Sequence, residues 1–487
     1  MNQSSSTAPQ AHRRAVVLGG GLTGALVAAV LAEHADEVTI IDRDVLPPVP
    51  APRKGLPQAR HAHLLWSGGA RIIESLLPGT HDRWLAAGAR RIPLPTGLVS
   101  LTAEGWMRRW PEMQFLIACS RDLLDWVIRE QIFTHPRITI REATEVVALA
   151  GNAQRVTGVH LRDAATGTTS RLDVELVVDA TGRGSAAPRW LTALGLPTVH
   201  EEVVDSGLAY ATRLFRAPEG TEDYPVVNVQ SDPREPIPGQ TATLVPIENR
   251  QWLVTLSGTR GGHPPKEAAE FEAFARQVRH PVVAEIIADA EPLTDVYVSR
   301  STINRRRFFE RLPPWPAGFF VIGDAVATYN PIYGQGMSVA ADCAAILRDA
   351  LRQRELGDPQ LSRHLQRRVG RIAEGPWSLA TGQDILYPGA IGNQPPFMTR
   401  LLRGYTDRLL RTATGRLTVA QALFDAITLS RPLTCLATPS VVAGVLRGPG
   451  QPPLAEPPLT VSENRFRRRS TPSTMHQPPG GQPTHPK

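Results

Sequence analysis

Lysine is nearly missing from this chain: of its 53 basic residues only Lys54, Lys266 and Lys487 are not arginine. With abundant alanine and proline, that skew suggests a GC-rich coding sequence. Cysteine is equally scarce. Cys119, Cys343 and Cys435 are odd in number and far apart, which argues against structural disulfides and a cysteine-based metal centre and fits a reducing compartment, with all three as packing residues. No apolar run is long enough to cross a bilayer, and the Ser/Thr-rich N-terminus reaches no apolar stretch before residue 15. Neither a membrane span nor a secretory leader is therefore expected, and the reading is a soluble, cytoplasmic protein. Acidic residues are in deficit, 46 against 53, giving a net charge of +7. From Arg447 onward, however, there are six basic residues against two acids, so the body is close to balanced and a nucleic-acid groove is not indicated. No G-x-S-x-G is present, so a serine nucleophile of that type is excluded.

What is present begins with one stretch near the N-terminus, in a chain of 487 residues that has room for two or three domain-sized units. An apolar run at 15–18 leads into Gly19-Gly20-Gly21-Leu22-Thr23-Gly24, then an Ala/Leu/Val-rich segment of helical period, a second apolar run at 38–41, and Asp42. The order is strand, glycine turn, helix, strand, acid. Gly19 permits the tight turn, Gly21 lets backbone amides approach a pyrophosphate at a helix N-terminus, and Gly24 lets helix and strand pack closely. Asp42, 23 positions after Gly19, suits the hydroxyls of an adenosine ribose. This pattern predicts a Rossmann-type dinucleotide-binding unit.

Residues 1–12 are polar and expected to be disordered. A Pro/Arg-rich loop at 47–60 precedes a helical run at 63–77 that ends at Pro78-Gly79. The segment 120–133 predicts a helix with Ser120 as N-cap and Leu123, Leu124, Val127 and Ile128 on one face. Period two then takes over at 138–140, 144–149, 156–161 and 170–172, a small β-meander that feeds an apolar strand ending at Asp179-Ala-Thr-Gly182. Strand patterns return over about 208–301, at 209–215, 226–229 and the pair 241–246 and 252–257, interrupted by a helix at 266–279. A buried strand at 318–322 runs into Gly323-Asp324, a long helix covers 337–354, and helical segments continue to about 445. The remainder is Pro-rich, basic and without apolar period, so 446–487 is expected to be disordered.

The second informative stretch is FFVIGDAVATYNPIYGQGMSVAA at 319–341. An acid at a strand end, a proline, and Gly334-x-Gly336 opening a helix supply a carboxylate for a ribityl hydroxyl and backbone N–H groups for a phosphate or flavin edge. Two such motifs about 300 residues apart, with a meander and VVDATGRGS between them, resemble the p-hydroxybenzoate-hydroxylase-type FAD monooxygenases over roughly residues 14–440. The resemblance implies an α/β fold: a discontinuous Rossmann-type FAD-binding domain with its β-meander (13–200 with 302–360), a mainly antiparallel substrate-binding sheet (201–301) and a C-terminal helical region (361–445). It implies non-covalent FAD held by Gly19, Gly21, Leu22, Thr23, Gly24, Asp42, Arg43, Arg53, Lys54, Arg121, Val146, Thr181, Gly182, Gly323, Asp324, Gly336 and Met337. Pro331, Tyr333, Gly334, Gln335, Gly336 and His61 would lie near the flavin ring. No protein side chain is assigned a catalytic role.

Four further segments, RKGLPQARHAHLLW at 53–66, LPGT at 77–80, AYATRLF at 209–215 and NPIYGQGM at 330–337, resemble flavin-dependent epoxidases of polyether-antibiotic pathways, the lasalocid and monensin type. That likeness implies epoxidation of a linear polyketide polyene, free or carrier-tethered, through a flavin C4a-hydroperoxide. Dioxygen is the co-substrate, and electrons arrive from NAD(P)H directly or through a flavin reductase. Such chemistry asks the protein for position and dryness rather than for a nucleophile. An aromatic hydroxylase of the same fold, a flavin-dependent prenyl reductase and a non-enzymatic subunit holding FAD as a structural plug are the alternatives. Thr181 stands where hydroxylases usually have Asp, and Ala327 departs from their Gly-Asp-Ala-Ala-His, which argues against built-in NADPH use. His61-x-His63 has no recognisable third ligand, so no metal is assigned. Trp106 and Trp110 read as core or lid aromatics, since the W-x-W-x-I-P of tryptophan halogenases is absent. Arg305 to Arg307 reads as a solvated turn face.

Overall fold

The computed structural model describes residues 12–300, 302–394 and 397–468. All but one of the residues expected to form a disordered N-terminus, and 469–487 of the tail, lie outside them.

The first apolar run becomes the strand Arg14–Leu18 at the centre of a five-stranded parallel sheet. Glu37–Ile41 and then Ile138–Arg141 lie on one side, and Leu176–Asp179 and then Phe319–Val321 on the other. Strands of this kind are covered on both faces, which is why they read as apolar runs without alternation. The helix Leu22–Ala32 is buried over nearly its whole surface, packed against Gly336–Leu351 and Arg121–Phe133. Ser120 caps the latter, its hydroxyl accepting from the Leu123 N–H.

The expected meander is corrected at its first member: Ile138–Arg141 pairs in parallel with Glu37–Ile41, leaving Thr144–Gly151, Val156–Asp163 and Thr169–Asp173 as an antiparallel trio. Period two describes a half-buried strand but not its partner. The helical run at 63–77 is also shorter than expected, because Leu64–Trp66 forms a strand against Gln114–Ala118 before the helix Ser67–Leu76 begins.

The substrate-side sheet has seven strands in the order Tyr297–Ser299, Ala209–Arg216, Gln251–Gly258, Gln240–Ile247, Val226–Val229, Leu98–Thr102 and Gly105–Trp106. It is antiparallel except where Val226–Val229 runs parallel to Leu98–Thr102, so it takes two strands from the segment assigned to the cofactor domain. Conversely, Glu201–Asp205 leaves this sheet and joins Asn304–Arg307, Ala327–Thr328 and Ile391–Gly392. One face of the large sheet packs on the helices Ala268–Gln277 and Val282–Ile287, the second of which the sequence reading missed. Its other face meets Phe397–Ala413 and Leu417–Ile427.

Residues 446–468 are not a disordered tail. Leu454, Leu459 and Phe466 pack against the core of the large sheet, and the short helix Val461–Asn464 carries a capping box between Thr460 and Glu463. Arg109 holds the Glu463 carboxylate through two hydrogen bonds of 2.5 and 2.9 Å, and Arg467 pairs with the buried Glu285. A few separated apolar side chains suffice here because the loop carrying Arg109 and the helix Val282–Ile287 carrying Glu285 supply charged partners.

Candidate functional site

Three loops, each leaving the C-terminal end of a parallel strand, converge where ligands bind in doubly wound sheets. The chain takes a left-handed turn at Gly19, with φ of +97°, and a Cβ there would lie 2.7 Å from the Ala180 carbonyl oxygen. A Cβ on Gly323 would meet Thr23 Oγ1 at 2.9 Å, one on Gly182 would meet Asp324 Cβ at 3.9 Å, and one on Gly336 would meet Asp324 Oδ1 at 3.9 Å. Motifs about 300 residues apart therefore touch.

The arrangement fits an ADP-containing cofactor. Asp42 is buried, its Oδ2 accepting from Gly20 N at 2.7 Å and Arg53 Nη1 at 3.2 Å, its Oδ1 from Asp44 N at 2.8 Å. Gly21 caps the first helix with φ of −78° and ψ of −176°, a conformation open to any residue. A side chain at 21 would meet only the movable Arg53 guanidinium, at 3.1 Å. The fold itself does not demand glycine there, whereas a pyrophosphate against the helix N-terminus does. Arg53 stands over that position with its Nε buried and without a hydrogen-bond partner. Gly24 differs, since its Cβ would fall 1.8 Å from the Gly19 carbonyl oxygen.

Asp324 opens onto the cleft while protein surrounds it: desolvation raises its pKa, and the guanidiniums of Arg183 and then Arg121 oppose the rise. Arg121 in turn ion-pairs with the buried Asp125 at 2.7 Å. Asp179 is structural, its carboxylate accepting from Thr181 N and Oγ1 and from Ser185 Oγ. Thr181 and Gly182 line the opening, Leu22 and Met337 are buried beneath it, and Val146 packs from the meander against the main core. Arg43 and Lys54 are exposed.

Across the cleft, Pro331–Tyr333 forms a single helical turn and Gly334 follows with φ of +64°. Trp66 Nε1 donates to the Tyr333 carbonyl at 3.4 Å, and Gln335 is buried, reaching the Ile427 carbonyl. His61 is buried against the large sheet, its Nδ1 2.8 Å from Thr212 Oγ1 and its ring 5.5 Å from that of Tyr210. Burial, with a smaller push from Arg60, takes its pKa down to about 4; burial and Arg121 take His63 to about 3. Both imidazoles are therefore neutral near pH 7.

The arginine run at 305–307 was misread. Arg306 is buried with Glu310, Glu374 and the Gly370 carbonyl around it, and Arg307 bonds Glu201 and the Ala325 carbonyl. Strand period places successive side chains on opposite faces, and both faces are covered here. Trp106 lies in the core between the large sheet and the helices Ala268–Gln277 and Val282–Ile287, and Trp110 packs against the core on the sheet's other face. Sequence reasoning also missed Arg183, Asn304, Asn330 and Asp384. Asn330, next to Pro331, and Arg183, inside VVDATGRGS, lay in motifs already singled out; Asn304 and Asp384 carried no signal.

A parallel nucleotide-binding sheet whose glycine cradle meets a Gly-Asp loop, set beside a large antiparallel sheet, defines an FAD-binding α/β flavoprotein. Residues 13–358 match the family described as FAD binding domain, and the chain belongs to it. Protein Rv3254 of Mycobacterium tuberculosis is 30% identical over 417 residues, 83% of this chain and 86% of that protein. Kynurenine 3-monooxygenase of Salinispora arenicola is 26% identical over 360 residues, covering 70% and 72%. Among solved structures, P. aeruginosa PqsL in complex with 2-aminobenzoylacetate superposes with a TM-score of 0.58 at 19% identity, over 77% of this chain and 97% of that one. FAD is the cofactor.

Proposed function

We propose that this FAD-dependent monooxygenase transfers one oxygen atom from dioxygen to alkenes of a linear polyketide polyene, giving epoxides. The observation that carries the reading is the wall of the large sheet nearest the cleft, where His61, Thr212 and Thr255 form one buried, uncharged hydrogen-bonded cluster and the Tyr210 ring packs beside His61. Thr212 Oγ1 and Thr255 Oγ1 lie 2.8 Å apart, and Thr255 accepts from Ala62 N at 3.0 Å. A wall that neither donates a proton nor carries charge suits an apolar alkene, whose epoxidation requires no protein acid or base. The segments at 53–66, 209–215 and 330–337, which resemble polyether epoxidases, border this wall and support the same reading.

Reduced FAD, when bound, supplies the activation of dioxygen. The chain's own part is to hold and exclude: Gly21 and Arg53 receive the pyrophosphate, Asp42 the adenosine ribose, Asp324 the ribityl chain, and Gly334 and Gly336 keep the approach to the ring clear. His61, fixed on Thr212, shapes the wall instead of moving a proton.

The second reading, hydroxylation of an aromatic ring, is favoured by the curated kynurenine 3-monooxygenase relatives. Labelled dioxygen, supplied with reduced flavin and either a polyene carboxylic acid or kynurenine, separates the two. One labelled oxygen per alkene is expected. A labelled hydroxy-arene moves the assignment to the hydroxylases, and saturated product or oxygen from water overturns it.

A further inference from the structure

Asp384, the last residue of the helix Leu361–Asp384, is 1% exposed and belongs to no motif. Five hydrogen bonds reach its carboxylate, all from neutral groups. Asn330 Nδ2 lies at 2.9 and 3.1 Å from its two oxygens, Asn304 Nδ2 at 2.7 Å, Tyr333 OH at 3.0 Å and Ser206 Oγ at 3.4 Å. Amide Nδ2 groups can only donate, so the carboxylate sits in an acceptor's place and the cluster is built around an anion. Burial opposes that charge and raises the pKa; the bonds from Asn330, Asn304, Tyr333 and Ser206 act against the rise.

The cluster is anchored at both ends of one short segment. Asn330 N donates to Asn304 Oδ1 at 2.6 Å, while Asn330 Oδ1 accepts from Ile332 N and from Tyr210 OH, both at 3.1 Å. The Asn330 side-chain amide thus accepts twice through its oxygen and donates through its nitrogen to both oxygens of the carboxylate, and it can turn only if several bonds break together. Through Tyr333 the same carboxylate grips the far end of the segment. Through Asn330 it reaches Tyr210, on the strand Ala209–Arg216 of the large sheet, whose ring faces His61.

We propose that Asp384 is a positioning residue: one buried carboxylate fixes the segment 330–333 against the flavin and ties it to Tyr210 in the wall of the substrate sheet. This rests on the reading of Pro331 to Gly336 as flavin-proximal. Asp384→Asn keeps the shape but turns N–H groups toward the donors of Asn304 and Asn330, so the segment must shift. A displaced segment changes both how tightly FAD is held and what surrounds its ring.

The test uses the full-length protein with FAD alone and needs no substrate. For Asp384→Asn, the FAD dissociation constant by fluorescence titration rises about tenfold or more. The visible circular dichroism of the FAD-saturated protein changes, and the flavin midpoint potential moves positive, because a nearby anion opposes added electrons. Tyr333→Phe and Tyr210→Phe each remove one bond and give smaller changes of the same sign in the circular dichroism; they settle the matter if Asp384→Asn does not fold. A wild-type protein that cannot be loaded with FAD overturns the functional reading and this inference with it. A wild type that binds FAD normally, with variants matching it in affinity, dichroism and potential, overturns the inference alone.

Discussion

Two glycines three residues apart separate what the fold needs from what the cofactor needs. At Gly24 an added Cβ would lie 1.8 Å from the Gly19 carbonyl oxygen and 3.3 Å from Val17 Cγ1. An ordinary carbon–oxygen contact is longer by more than an ångström, so in Gly24→Ala the helix Leu22–Ala32 must lift off the strand Arg14–Leu18. Overpacking of this kind costs about 1–3 kcal/mol, against which the better helix propensity of alanine returns up to ~1 kcal/mol. The expected outcome is a lower melting temperature without FAD, and loss of FAD affinity because the helix N-terminus has moved. At Gly21 the backbone accepts any residue and a Cβ meets only Arg53 Nη2 at 3.1 Å. Gly21→Ala should therefore melt with the wild type when FAD is absent. A methyl group at the position proposed for the pyrophosphate should disturb one or two charge-assisted amide bonds, each about 1.5–3 kcal/mol, so affinity should fall by roughly ten- to a hundredfold or more. Melting scans of the apoprotein and FAD titrations by fluorescence report the two effects separately. A Gly21→Ala protein that keeps wild-type FAD affinity, or a Gly24→Ala protein that keeps wild-type stability, would refute the argument.

Asp42→Ala removes the acceptor of the Gly20 and Asp44 amides and the partner of Arg53, so both apoprotein stability and FAD retention should drop, the former by about 1–3 kcal/mol in denaturant titration. His61, whose pKa burial lowers from 6.5 to about 4, takes up a proton more readily in the unfolded chain. Stability should therefore be complete above about pH 6.5 and decline as pH falls toward 4. At ~1.4 kcal/mol per pKa unit the loss is on the order of 3 kcal/mol, and unfolding of His61→Gln followed against pH should show a shallower slope. Arg467→Ala leaves Glu285 buried without its cation and should cost about 3–5 kcal/mol, read as a lower thermal midpoint; an unchanged midpoint would return residues 446–468 to the status of a loose tail. Thr181 predicts slow reduction by NADPH alone, so stopped-flow reduction on a millisecond scale with no partner would refute dependence on a separate flavin reductase.

The sequence by itself determined the cofactor half of this protein, because that half is local. A strand, a glycine turn, a helix N-terminus and an acid lie within 30 residues, and Gly24 answers to a contact within that unit and Gly21 to a ligand lying on it, while Gly19 also meets the distant loop at Ala180. The helix capped by Ser120 and the hairpin of Gln240–Ile247 with Gln251–Gly258 were legible for the same reason. The tertiary structure alone decided which surfaces the periodic segments meet. Hydrophobic period says that one face is buried but not against what, so Ile138–Arg141 could be read into the wrong sheet and Leu98–Thr102 left out of the right one. Charge follows the same logic: Arg306, Arg467 and Asp384 look like surface residues until distant partners such as Glu374, Glu285 and Asn304 close around them. A buried ion pair or hydrogen-bonded carboxylate is stable only where the fold brings its partners together, and sequence spacing carries no trace of partners 68, 182 or 80 residues away.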